Sequence, residues 1–178
     1  MNNKILLREN AKSVRKTLKL QDISEKIVSN IKLQTWYKSA RNVMIFYPLS
    51  DEINLMSLAI QDKNFYLPRV NGDDIEICPY KAGDELVTSK WGISEPKTSP
   101  VNLAQIDIIF TPALMIDKNF HRLGYGGGFY DRLMKDYAGV KAGVIPEKLY
   151  VDSIPVNDYD IPLNFVITET AVYPNISD

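Results

Sequence analysis

Apolar residues change their period several times along the chain, and each change predicts an element. Over residues 3–20, Ile5, Leu6, Val14 and Leu18 stand among charges, which predicts a helix. A second helix is expected over residues 24–37, with Ile27, Ile31 and Lys38 at helical spacing. Ser24 suits its N-cap, because a serine hydroxyl can accept an orphan N–H of the first turn. The run NVMIFYPLS, stopped by Pro48, reads as a buried strand. Ile53, Met56, Leu58 and Ile60 give residues 51–61 a helical spacing. NFYLPRV and DIEICPY are strands on either side of an Asn71-Gly72-Asp73 turn, expected to form a hairpin or a near-antiparallel edge pair. Residues 89–100, around Trp91, Gly92, Pro96 and Pro100, read as a loop.

QIDIIFTPAL is the clearest buried strand. A loop over residues 115–128 leads into a helix over 129–138, then VKAGVIP and NFVITETAVY follow as the last two strands. Strands alternating with helices predict an α/β layer fold with a mostly parallel sheet. With 178 residues, no repeat, no low-complexity tract and no linker, one domain is expected over 1–178.

Composition narrows the chemistry. Hydrophobic residues make up 45% and charged residues 24%, which suits a packed core and argues against a disordered chain. Bases and acids balance to a net charge of −1, so no global field favours nucleic acid. No apolar stretch approaches the ~20 residues of a membrane span, and the charged N-terminus lacks the pattern of a secretory signal. A soluble protein in the reducing cytoplasm is expected. One cysteine, Cys78, excludes an internal disulfide and a cysteine metal cage; as a small strand hydrophobe it needs no other role. One histidine, His121, excludes multi-histidine metal sites and reads as an exposed loop residue.

The segment IDKNFHRLGYGGGFYD packs Gly124, Gly126, Gly127 and Gly128 between a strand and a helix, with Arg122 beside them. Glycines let backbone N–H groups converge on an anion, a helix start adds positive potential, and a guanidinium can grip phosphate in a bidentate way. The segment matches neither GxxxxGK[ST] nor GxGxxG, since Phe129 stands where the last glycine of the latter would be. A tight connection without a ligand remains the alternative. Tyr125, Phe129 and Tyr130 can stack on a flat ring or fill core. Asp131 can hold a cation or face the helix dipole as a first-turn acid. Lys4, Arg8, Lys12, Arg15 and Lys19 recur at three- and four-residue steps, which makes a solvated basic face or a stripe with one end on a polyanion. Arg69, at a strand end, either faces the site or turns away.

RLGYGGGFYDRL, the early KILLR, YPLSDEIN, LPRV and WGISEP occur in this order. Together they resemble the 5-formyltetrahydrofolate cyclo-ligase (5,10-methenyltetrahydrofolate synthetase) family over nearly the whole chain. The resemblance implies a single-domain, Rossmann-like three-layer α/β/α sandwich. It implies ATP- and Mg²⁺-dependent conversion of 5-formyltetrahydrofolate to 5,10-methenyltetrahydrofolate, with ADP and phosphate released. Lys4 and Arg8 match ATP contacts. Arg122, Leu123, Gly124, Tyr125, Gly126, Gly127, Gly128, Phe129 and Tyr130 match the phosphate loop, of which Tyr125–Phe129 also border the folate. Arg122 and Lys4 carry the catalytic charge. Tyr47 and Glu52 match the pterin side, Trp91 matches an aromatic of the folate pocket, and Asp131 and Asp160 match magnesium positions. Two positions depart from the family pattern: Phe129 replaces a usual tyrosine, and Tyr159 replaces a frequent histidine before Asp160. The partners implied are the two small substrates of a cytoplasmic monomer, without nucleic acid or membrane. The competing expectation is a phosphosugar- or nucleotide-sensing module that binds through the glycine turn and does no chemistry.

Overall fold

The computed structural model describes residues 2–60 and 62–176. Its centre is a seven-stranded sheet in the order β12-β11-β9-β6-β1-β2-β3. The strands are β1 (Asn42–Met44), β2 (Asn64–Asn71), β3 (Asp74–Tyr80), β6 (Ile108–Thr111), β9 (Val140–Val144), β11 (Phe165–Ile167) and β12 (Val172–Pro174). Four neighbouring pairs run parallel; the β2–β3 and β11–β12 edges are antiparallel. This is the mostly parallel sheet that the alternating pattern predicts.

Successive residues of the inner strands point to opposite faces, and both faces are covered. Met44 and Ile109 join one core with Ala11 of α1 (Asn2–Arg15) and Met134 of α4 (Phe129–Met134). Val43, Ile45, Ile108 and Phe110 join the other with Ile27, Val28 and Ile31 of α2 (Leu20–Leu33) and Tyr37 of α3 (Thr35–Ser39). Three layers result, α/β/α.

Several expected elements change shape. Ser24 does not cap α2. The helix starts at Leu20, the Ser24 hydroxyl donates to the Leu20 carbonyl, and it accepts the Asn54 N–H at 2.9 Å. A long-range contact thus uses the hydroxyl that a cap would have needed. Residues 51–61 form only a 3-10 helix over Met56–Ile60, and Gln61 lies outside the described residues. The loop over 89–100 contains β5 (Ser94–Pro96), which pairs with β4 (Leu86–Thr88). The loop over 115–128 contains β7 (Met115–Asp117) and β8 (Arg122–Leu123), which form a small sheet with β10 (Tyr150–Val151). NFVITETAVY is the hairpin β11–β12 rather than one strand. α4 stops after six residues, and beyond it the buried Tyr137 donates its hydroxyl to the Ile106 carbonyl.

Candidate active site

The chain leaves β1 towards β2 on one side, while β6, β9 and β11 lie on the other. Such a reversal opens a crevice beyond the C-terminal ends of the strands. Phe46 and Tyr47 beyond β1 and Pro112 beyond β6 line a cavity there of about 970 Å³. That lies at the top of the roughly 300–1,000 Å³ range for one drug-sized ligand.

Lys4, Arg8, Tyr47, Glu52, Trp91, Arg122, Leu123, Gly124, Tyr125, Gly126, Gly127, Gly128, Phe129, Tyr130, Asp131 and Asp160 all line this one cavity. α1 delivers its bases from one side. Lys4 Nζ meets Asp160 Oδ2 at 2.9 Å, and Arg8 Nε donates to the Gly124 carbonyl at 2.9 Å. Lys12 Nζ stands 5.7 Å from the centre of the Tyr125 ring. Arg15 departs from the expected solvated stripe: it is 2% exposed and donates to the Asp51 and Ala113 carbonyls. It thereby ties the chain beyond β1 to the chain beyond β6. Lys19 lies outside α1, at the N-cap of α2.

The glycine loop is shaped by close approach. A Cβ at Gly124 would stand 2.9 Å from Arg122 Nη1, and one at Gly127 would stand 2.6 Å from the Phe129 ring. Gly126 and Gly128 have φ of +108° and +66°, which side-chain-bearing residues resist. Because α4 is short, its dipole adds little here. Arg132 fastens the far end, from Nη1 to the Gly127 carbonyl at 3.0 Å.

Arg122 is 8% exposed. Its Nη2 lies 2.8 Å from Asp131 Oδ2, so the charges touch. Nε, shut off from solvent, has no hydrogen-bond acceptor among the described residues. Buried donors are rarely left so, since each costs about 1–3 kcal/mol. Burial pulls the guanidinium below its ordinary value, and Asp131 opposes that fall. Asp131 Oδ1 also accepts the Ile161 N–H at 3.3 Å. Burial would raise the Asp160 carboxyl, but Lys4 and the Asn157 N–H outweigh it and hold the group below the usual range.

Glu52 is 8% exposed, and burial pushes its carboxyl above the usual range. The Leu49 N–H at 2.8 Å, the Tyr125 hydroxyl and Arg15 work the other way, favouring the ionised form. Burial, aided by the Glu52 charge, drives the Tyr125 hydroxyl far above its ordinary value. Trp91 is 58% exposed at the rim.

Sequence reasoning left other wall residues unassigned. Val70, Ile75, Ile93 and Pro68 make an apolar side, while Glu95, Arg132, Lys135 and Asn157–Ile161 add polar groups. The alternation Trp91, Ile93, Glu95 was the available signal, but it lay in a stretch read as loop. Arg69 turns away from the cavity to Glu76 at 2.7 Å. His121 does not line the cavity and is half-buried rather than exposed, with its N–H on Asp117 Oδ1. Cys78 is a buried strand residue, as expected.

Known proteins match this arrangement. A model of the 5-formyltetrahydrofolate cyclo-ligase family matches residues 1–169. The chain is 31% identical over 139 residues to the 5-formyltetrahydrofolate cyclo-ligase of Haemophilus influenzae, covering 71% of this chain and 74% of that one. It is 31% identical over 147 residues to the Escherichia coli K12 protein of the same name, covering 75% and 81%. The structure of Aquifex aeolicus 5,10-methenyltetrahydrofolate synthetase superposes with a TM-score of 0.87 at 30% identity, over 98% of this chain and 94% of that one. The synthetase from Mycoplasma pneumoniae, at 20% identity and a TM-score of 0.75 over 94% and 99%, shares the fold. With a matching family model along nearly its whole length and relatives at this identity, the chain belongs to the 5-formyltetrahydrofolate cyclo-ligase family of enzymes.

Proposed function

We propose that this enzyme converts 5-formyltetrahydrofolate to 5,10-methenyltetrahydrofolate, using MgATP and releasing ADP and phosphate. The observation that carries the reading is Arg122: a buried guanidinium on the cavity wall, beside a loop of glycines. Phosphate oxygens are the acceptors that such a fork fits.

An N-formyl group is a poor electrophile, and its oxygen leaves poorly. Transfer of the terminal phosphoryl group of ATP to that oxygen turns it into a phosphate leaving group. N10 of the folate then attacks the carbon and closes the ring. No protein nucleophile is required, so catalysis rests on position and charge. Lys4, Arg8, Arg122 and the amides of Gly124–Gly128 hold the triphosphate, and the donors at the transferring group bear the charge that builds on its oxygens. Tyr125 and Phe129 border both substrates, and Tyr130 the nucleotide. Glu52 accepts the pterin's amino and ring N–H groups, displacing the Tyr125 hydroxyl, with Tyr47 beside it. Trp91 covers the folate at the rim.

Asp131 and Asp160 are the carboxylates that would hold Mg²⁺. No cluster of three or more His, Cys, Asp or Glu among the described residues could cage a metal. Two carboxylates on the wall suit Mg²⁺, which usually binds through one or two carboxylates and takes its other ligands from water and substrate phosphates. The ion supplies charge neutralisation on the phosphates when bound.

No helix of the described residues is long and apolar enough to cross a membrane. The reading includes a monomer at work in the cytoplasm, with small molecules as its partners. The test is spectrophotometric: methenyl-folate absorbs in the near ultraviolet and the formyl substrate does not. ATP-dependent growth of that band in the presence of purified protein is expected. Its absence, with ADP still bound, would favour the sensing module instead.

A further inference from the structure

We infer that Glu95 is the base that removes the N10 proton during ring closure, an inference that rests on the reaction proposed above. In that reaction a secondary amine, N10–H, becomes part of an amidinium that carries no hydrogen on N10. One proton must therefore leave inside a cavity with an apolar wall.

The acids on the cavity wall are not equally suited to take it, and Asp158 is exposed to solvent. Asp131 touches Arg122 at 2.8 Å and Asp160 touches Lys4 at 2.9 Å. Glu52 receives the Leu49 N–H and the Tyr125 hydroxyl. Glu95 is 6% exposed and lines the cavity, yet only its Oε1 has a hydrogen-bond donor among the described residues, the Val70 N–H at 3.1 Å. Arg69, the cation whose field it feels, is itself in contact with Glu76 at 2.7 Å. Oε2 keeps its full acceptor capacity.

Position also favours Glu95. Arg69 Nη1 donates to the Pro96 and Thr98 carbonyls at 3.1 and 2.8 Å, which clamps β5 to β2. Trp91 in the turn before β5, Ile93 and Glu95 of β5 all line the cavity. The wall that carries the folate's aromatic contact therefore also carries the spare carboxylate.

The step balances. The N10 lone pair forms a bond to the phosphorylated formyl carbon. The N10–H proton passes to Glu95 Oε2, and its bonding pair stays on N10. The carbon–oxygen bond breaks, and inorganic phosphate leaves with that pair. N5 and N10 share the remaining positive charge.

Glu95→Gln is close in shape and keeps an acceptor for the Val70 N–H. The ATP-dependent methenyl assay on wild type first establishes the reaction independently. The variant is expected to lose 100- to 10,000-fold in kcat, the usual contribution of a positioned base. ADP and 5-formyltetrahydrofolate affinities should stay within threefold. Glu95→Asp should retain part of the rate. A Gln variant with kcat within threefold of wild type overturns the proposal, as does a loss confined to folate affinity. If Glu95→Gln does not fold, Glu95→Asp carries the test: unchanged kcat with the shortened carboxylate overturns it, and a lowered kcat with unchanged affinities supports it.

Discussion

Removing the Arg122 guanidinium would strip the cavity wall of its buried cation and leave Asp131 with a charge and no partner. Breaking a buried ion pair from one side costs about 3–5 kcal/mol. Arg122→Ala is therefore expected to lower the melting temperature as well as to reduce ATP turnover at least a hundredfold. The Lys4–Asp160 pair is different, with side chains 23% and 19% exposed. Both ends keep some contact with water, so losing this pair costs less than losing that of Arg122. Lys4→Ala should thus raise the KM for ATP tenfold or more with little change in melting. A wild-type KM would remove Lys4 from the nucleotide site. Glu52 gives a pH signature. Its folded pKa lies above the ordinary 4.5, so its contribution to stability is full below the unfolded value and lost as pH rises through the folded one. Glu52→Gln escapes that loss. The melting temperature of the variant minus that of wild type should grow from pH 4 to pH 7, while folate affinity falls and ADP affinity holds. A difference independent of pH would contradict the burial argument.

The elements behave as units. α1 carries Lys4, Arg8, Lys12 and Arg15 at steps of four, four and three, which keeps them on one side of a helix. Its last residue plugs into two carbonyls beyond β1 and β6, so the helix that supplies the cations also braces the loop that supplies Glu52. The glycine loop depends on backbone freedom in the same way. Gly126→Ala would force a side chain into φ +108°, with the new Cβ 3.4 Å from Arg8 Nη2. Strain of about 1–2 kcal/mol is expected, and in an exposed loop it should distort the anion nest more than the fold. ADP affinity should fall at least tenfold by calorimetry with melting within a few degrees of wild type. Unchanged affinity would show that the nest does not hold the nucleotide.

Across the whole molecule, the cavity joins α1, the turns beyond β1 and β6, β5, the glycine loop and the chain before β11. A ligand there stabilises all of them by mass action. Mg-ADP at a hundred times its Kd contributes about 2.7 kcal/mol. For a domain of this size that corresponds to a rise of about 5–11 °C in melting temperature, and omission of Mg²⁺ should shrink the rise. Light scattering should give a mass near 20.2 kDa in both states.

Much of this was legible in the chain itself. Unbroken apolar runs such as Ile108–Phe110 read as inner strands because a strand covered on both faces has no polar side. Glycines crowded beside an arginine read as a candidate anion loop on the cavity wall, because backbone freedom and charge are local properties. Other features depended on partners far along the chain. Ser24 lost its expected cap to Asn54, Arg15 left the solvated stripe for Ala113, and Glu95 emerged from an apparent loop because β5 docks on β2. Periodicity and turn chemistry report on neighbours within a few residues. Which acids are neutralised, and which one keeps a free oxygen, is set by cations and amides that only the folded sheet brings within 3 Å or so.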